Sequence, residues 1–349
     1  MKNIIILLSP LSLAFFLSCS QTPETPVEPA KQNAIPMLGL WETWPDLSAP
    51  RSAAAVIALD DGSFLLAGGF QGSFDASSSV SSYDPISGVA SALTPLPLGL
   101  AGAAFMQTDD GFILSGGLEK FSTTEVLKPQ DACFAYSLNT QDWSACAPIG
   151  NGGTFANSFA AMPNALTIFG GLKQVDYTRE GPGSLSTRIV QRYNHSDDAW
   201  QAETLLPELR DGAATIIHEN RAYVIGGWAQ SANGGPIALS PDVLVYNFTT
   251  HTWETSDDTM RVNDLPTPRA NLACTIYGKG VCCFGGYNQN GVVVDVVDRL
   301  DLESGIWSSM PPLPQALSEV RPVSRDDGIW ILGGMDSTYN DVAKVYRLR

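Results

Sequence analysis

Arg221-Ala-Tyr-Val-Ile-Gly-Gly227 is a short apolar run that follows the turn residues Glu219-Asn220 and ends in a glycine pair. The same design occurs six times: SFLLAGG ending at Gly69, GFILSGG at Gly117, ALTIFGG at Gly171, RAYVIGG at Gly227, VCCFGG at Gly286 and GIWILGG at Gly334. Successive pairs lie 48, 54, 56, 59 and 48 residues apart. A period of about 50 residues marks an array in which each repeat is one supersecondary unit. Such a unit buries its apolar faces only against its neighbours. The array therefore overrides the separate domains that a chain of 349 residues would ordinarily suggest.

Within each unit, a strand carrying Tyr is followed seven residues later by Trp: Tyr136 and Trp143, Tyr193 and Trp200, Tyr246 and Trp253. Leu300 and Trp307 keep the spacing, and Tyr83 keeps it with Ala90. The last unit reaches Tyr346 with no room for a tryptophan strand before Arg349. Trp41, ten residues before Arg51 as Trp200 is ten before Arg210, is expected to fill that vacancy. An N-terminal strand that completes the C-terminal unit closes a ring and leaves no open sheet edge. Each unit reads as four antiparallel strands. First comes a run of small residues such as 52–59, suited to a crowded centre, then a tight turn such as Asp60-Asp61-Gly62. The strand ending in the glycine pair follows, and then the Tyr and Trp strands. Together these residues resemble the kelch-repeat β-propellers from about Leu38 onward. The resemblance implies an all-β, six-bladed propeller over residues 38–349, with four antiparallel strands per blade.

The first residues read differently. Lys2 precedes an apolar stretch from Ile4 to Leu17, too short to span a bilayer comfortably. Phe16-Leu17-Ser18-Cys19 resembles the lipobox of bacterial lipoproteins. That resemblance implies a signal peptide over residues 1–18 and lipidation of Cys19. The Pro- and Thr-rich residues that follow make 19–37 a flexible tether. The expectation is an exported, membrane-anchored lipoprotein of the periplasm, outer membrane or cell surface, in an oxidising compartment. Two cross-strand disulfides fit that setting. Cys133 and Cys146 are symmetric about the hairpin that carries Tyr136 and Trp143, and Cys274 lies opposite Cys282 or Cys283 across the Gly278-Lys279-Gly280 turn. Apolar residues make up 44% of the chain and charged residues 16%, which indicates a folded protein. Its net charge of −16 argues against nucleic acid or an anionic membrane surface as a partner, leaving the lipid anchor as the membrane contact.

Loop lengths point to a working surface. The Tyr-to-Trp spacing is constant, whereas the distance from the first glycine of each pair to the Tyr position runs 15, 20, 23, 20, 15 and 13 residues. The connection into the fifth blade carries an insertion near 255–263. In an up-and-down blade both variable connections leave from one face, and loops carry recognition while the scaffold holds them. After the six glycine pairs stand Phe70, Leu118, Leu172, Trp228, Tyr287 and Met335, suited to loop anchoring or to ligand stacking. Arg51, Arg210 and Arg269 occupy matching places before the first strand, where they can bond loop carbonyls or hold a carboxylate. The long third-blade loop adds Tyr177 and Arg179. The expected binding face is thus Arg51, Phe70, Tyr177, Arg179, Trp228, Tyr287 and Met335. His195, His218 and His251 lack metal-ligand spacing, and no cofactor motif is present, so neither metal nor cofactor is expected. The leading functional expectation is a non-catalytic binding module for a protein or glycan. The alternative, implied by resemblance to six-bladed kelch N-acetylneuraminate epimerases, is a sugar mutarotase with Glu208, Arg210, Arg269 and Glu319 as candidate catalytic groups.

Overall fold

The structure, a computed structural model, describes residues 39–72, 75–120, 124–156, 158–176, 184–254 and 262–349. All of these fall within one compact unit, Pro36–Arg349. The signal segment, Cys19 and its tether, Tyr177, Arg179 and most of the 255–263 insertion lie outside the described residues.

Six four-stranded antiparallel sheets follow one another along the chain. Blade 1 is Ala55–Ala58, Phe64–Ala67, Val80–Tyr83 and Ala90–Leu93. Blade 2 is Ala104–Thr108, Gly111–Ser115, Cys133–Ser137 and Asp142–Ala145. Blade 3 is Ser158–Met162, Ala165–Phe169, Val190–Asn194 and Ala199–Ala202; blade 4 is Ala214–His218, Arg221–Ile225, Val243–Asn247 and Thr252–Trp253. Blade 5 is Ala273–Tyr277, Gly280–Phe284, Val297–Asp301 and Trp307–Ser309. Blade 6 takes Pro322–Arg325, Gly328–Leu332 and Val345–Leu348 from the C-terminus, and its outer strand, Trp41–Trp44, from the N-terminus.

The core is divided into six apolar clusters, one at each blade interface. Between blades 1 and 2 lie Leu65, Leu100, Phe112 and Tyr136. Between blades 6 and 1, Trp330, Leu332 and Val345 pack against Val56, Phe64, Leu66 and Tyr83. The last interface closes the ring, joining residues almost a whole chain apart. Each fully buried large side chain contributes roughly 1.5–3 kcal/mol. A seventh cluster, around Phe70, Leu118, Phe155 and Leu172, lies among the loops.

The tryptophans act between blades. The indole N–H of Trp143 donates to the Thr94 carbonyl, Trp200 to Ala147, Trp253 to Thr204 and Trp307 to Asn263, each in the connection that leaves the preceding blade. Trp41 does the same to Pro311 and packs edge-on against Phe284 and Tyr346. It thus fills the tryptophan role of blade 6, with one correction of register. Trp143, Trp200 and Trp253 lie directly opposite their tyrosines, whereas Tyr346 faces Thr43 and Trp41 faces Leu348. A strand contributed from a distant part of the chain has no hairpin turn to set its register.

The glycine pairs bond each blade to the next. The second glycine donates its N–H to a carbonyl in the lead-in of the following blade: Gly69 to Leu100, Gly117 to Thr154, Gly171 to Arg210, Gly227 to Arg269, Gly286 to Leu317 and Gly334 to Arg51, all at 2.8–3.0 Å. The last of these again closes the ring. That carbonyl stands where a side chain on the first glycine would be. A Cβ on Gly285 would lie 1.9 Å from the Leu317 oxygen, and one on Gly68 2.2 Å from that of Leu100.

Two residues beyond that carbonyl, every blade has a residue with positive φ: Ala53, Gly102, Ala156, Gly212, Asn271 and Glu319, between 48° and 65°. Their peptides form a collar around the axis. Gly102 donates to Ala53, Gly212 to Ala156, Asn271 to Gly212, Glu319 to Asn271 and Ala53 to Glu319. Disulfides join Cys133 to Cys146 and Cys274 to Cys283, while Cys282 is a free, buried thiol.

These contacts separate two kinds of glycine. Gly285→Ala is expected to destabilise the fold by about 3 kcal/mol or more, because a clash with backbone adds to the positive φ of 54°. Gly72→Ala, at φ 80° with open space around it, should cost only about 1–2 kcal/mol. Denaturant unfolding of both variants measures the difference; equal costs would mean that the blade-to-blade contact does not require a glycine.

Candidate functional site

The connections of variable length leave from one face of the ring, while the other face carries tight turns such as Gly278-Lys279 and Asp326-Asp327. On the loop face the residue after each glycine pair bonds to the lead-in of its own blade: Phe70 with Ser52, Leu118 with Ala101, Leu172 with Phe155, Trp228 with Asp211, Tyr287 with Ala270 and Met335 with Ser318. Phe70, Leu118, Leu172 and Met335 are buried by this arrangement and anchor loops. Trp228 and Tyr287 keep part of their surface exposed.

The loop face has two unlike halves. Over blades 1–3 the loops pair with one another, Asp75 with Lys120 and Leu127 with Val175, above the apolar cluster that contains Phe70 and Phe155. Over blades 5 and 6, Tyr287 and Tyr339 stack with ring centroids 6.2 Å apart and planes at 18°, and Tyr339 is 52% exposed. An exposed aromatic pair held by its neighbours is a low-entropy contact surface.

The three matched arginines lie within the blades, away from the ring axis. Arg51 donates to the carbonyl of Gly68 and to Ser79, Arg210 to the carbonyl of Gly226 and to Glu208, and Arg269 to the carbonyls of Gly285 and Thr267 and to Asp298 at 2.7 Å. Thr154 at the same place donates to Gly170. Each therefore ties down the carbonyl of the first glycine in its own blade. Arg269 is fully buried and Arg210 nearly so, which removes both from the expected set of ligand- or substrate-facing groups, and Arg51 from the binding face. Removing one partner of a buried pair such as Arg269–Asp298 costs about 3–5 kcal/mol. Glu208 is committed to Arg210 as well.

Of the four catalytic candidates, Glu319 alone is directed to the axis. It is a member of the collar, accepts a hydrogen bond from Asn271 and has its carboxyl pushed up by burial. Sequence reasoning missed two groups around it and one in the lead-in of blade 4. Arg321 stands two residues on, its guanidinium pulled down by burial. Asp341 accepts from the Ser52 hydroxyl and the Gly72 N–H, and its charge acts on Glu319. Asp211, in the Trp228 pairing, bonds to Ser186. For Arg321 and Asp211 the available signal was positional: aligning the residues that follow the arginine place would have shown charged groups where other blades carry small or apolar ones.

Burial pushes the Asp211 carboxyl up to about 6, with the Ser186 hydroxyl and Arg210 opposing. Because the folded chain then holds this proton more tightly than the unfolded chain, stability declines as pH rises from about 4 to about 6 and stays reduced above. Asp211→Asn should therefore be more stable than the native chain above pH 6, by on the order of 3 kcal/mol, with the gap closing near pH 4. Melting curves across that range test this. A gap that is independent of pH would show that Asp211 titrates normally.

Comparisons with known proteins agree with this architecture. Over 240 residues the chain is 27% identical to the kelch-like protein terF of Aspergillus terreus, a match covering 66% of this chain and 49% of that protein. It is 23% identical over 184 residues to alpha-scruin of Limulus polyphemus, covering 52% of this chain and 19% of the relative. Against human kelch-like protein 38 it is 23% identical over 177 residues, covering 51% and 28%. The matched region thus spans about half or less of each of these relatives. The solved structure of YjhT superposes with a TM-score of 0.67 at 16% identity, covering 86% of this chain and 96% of that one, a likeness of fold. Residues 156–348, more than half of the chain, match the KLHDC2/KLHL20/DRC7 kelch-repeats domain, and the protein belongs to the kelch-repeat family.

Proposed function

We propose that this protein is an exported, lipid-anchored kelch propeller whose loop-bearing face recognises a protein partner, with a glycan as the other ligand class. The observation that carries the reading is the asymmetry of the two faces. Variation in loop length is confined to one face, where the loops of blades 1–3 build their own apolar cluster and the Tyr287–Tyr339 pair stands exposed beside them. Rigid scaffolds that carry variable loops on one side are arranged for binding. The export and anchoring part of the proposal rests on the sequence around Cys19.

A photo-reactive amino acid replacing Tyr339 should cross-link to a discrete partner in intact cells, while the same group at Thr140, exposed on the opposite face, should not. The chain should sediment with membranes and be released by Cys19→Ser. Equal labelling from both faces would sink the loop-face assignment, and a Cys19→Ser chain that still sediments would sink the lipid anchor.

Sugar-ring isomerisation is the second reading, and Glu319 at the collar supports it, since a carboxyl with a raised pKa suits proton transfer near neutral pH. The expected signature is accelerated anomer exchange of a sialic acid, followed by NMR and lost in Glu319→Gln. An exchange rate equal to that of buffer excludes this activity.

A further inference from the structure

The innermost strands of blades 2–6 and the residues that lead into them line a partly open cavity of about 150 Å³ around the propeller axis. Phe105, Phe159, Thr215, Cys274 and Arg321 are among its walls. Arg321 breaks the pattern of its position. At the same register, opposite the residue before the glycine pair, the other blades carry Ala55, Ala104, Ser158, Ala214 and Ala273, small groups that fit the crowded centre. The sixth blade instead places a guanidinium there.

Its partners are few. Among the described residues, Arg321 donates to the carbonyl of its neighbour Val320 and forms no ion pair within 4.0 Å, although the Glu319 carboxylate is near enough to act on it electrostatically. The Glu319 carboxylate in turn accepts, among the described residues, only from Asn271. Arg321 lines the cavity, and Glu319 stands two residues before it in the collar, outside that lining; both keep part of their surface accessible. On the cavity wall the Thr215 hydroxyl is buried with no hydrogen-bond partner among the described residues. Opposite charges brought this deep without direct contact are costly, since a buried ion needs its counter-ion and further hydrogen bonds to offset desolvation. A ligand that carries both missing charges would satisfy them together.

We propose that the axial cavity binds a small zwitterion, of the free α-amino acid class, with its carboxylate on Arg321 and its ammonium on Glu319. Arg321 offers the planar donor fork that matches a carboxylate. Phe105 and Phe159, with ring centroids 4.9 Å apart, form an apolar wall for an aliphatic or aromatic side chain. A volume of about 150 Å³ suits a ligand of single-residue size. The proposal shares Glu319 with the sugar reading and does not depend on what the exposed Tyr287–Tyr339 pair recognises.

The test is calorimetric titration and thermal shift of the full chain with each standard L-amino acid at millimolar concentration. For the tightest ligand, the measurement is repeated with its methyl ester, which lacks the carboxylate, and its N-acetyl derivative, which lacks the ammonium. Each change should weaken binding by about tenfold to a hundredfold, the worth of one hydrogen bond to a charged group. Arg321→Met should equalise the acid and its ester, and Glu319→Gln should equalise the amine and its N-acetyl form. Glu319→Gln retains an acceptor for Asn271, and the ligand derivatives leave the protein untouched, so the result stands even if Arg321→Met does not fold. The proposal is overturned if no amino acid binds, if ester and N-acetyl forms bind as well as the parent, or if only a sugar acid binds through Arg321.

Discussion

One backbone hydrogen bond, repeated six times, organises this molecule: the N–H of the second glycine in each pair meets the carbonyl that leads into the next blade. That carbonyl occupies the space a side chain on the first glycine would need, at 1.9 Å for Gly285 and 2.2 Å for Gly68. Glycine is therefore retained for close approach as well as for positive φ. The bond sets the angular step from blade to blade, and the apolar clusters fill the wedge that the step leaves open. Because the bond from Gly334 ends on Arg51, six steps make a closed ring, and each blade leaves only a short outer edge.

The same constraint explains the arginines. A glycine pair leaves a carbonyl inside the blade that no strand satisfies, and Arg51, Arg210, Arg269 and Thr154 supply the donor from the residue that leads into the same blade. Their recurrence along the sequence follows from the fold. Groups available for chemistry are those that break the recurrence. Five blades place Ala or Ser at the register where the sixth places Arg321, and the collar runs through Ala and Gly in four blades before Asn271 and Glu319. Blade 6, assembled from both ends of the chain, thus contributes both charged groups at the axis.

Most of the architecture was legible in the sequence. Period, strand order, the terminal splice and the loop-bearing face all follow from spacing, and the hairpin placement of Cys133 and Cys146 agrees with the disulfide between them. The choice between Cys282 and Cys283 was not legible, since adjacent strand residues point to opposite faces and only the ladder places Cys283 across from Cys274. Trp41 was recognised by its distance from Arg51, but its pairing with Leu348 was not foreseeable without a turn to fix the register. The site was read less well. Arg210 and Arg269 were chosen for their charge and repetition, and repetition marks structure here.

By itself, then, the sequence determined the number of blades, their strand order, the closure of the ring and the face that carries the long loops. These are consequences of local spacing, which strand geometry and short turns convert directly into topology. Only the tertiary structure decided which polar side chains face the axis and which face a backbone carbonyl. That depends on the rotation between neighbouring blades, a quantity set by packing among residues that are distant in the chain. Arg321 stands four residues after Leu317, and nothing in that short segment shows that its charge meets a cavity walled by Phe105, Phe159 and Thr215 from three other blades.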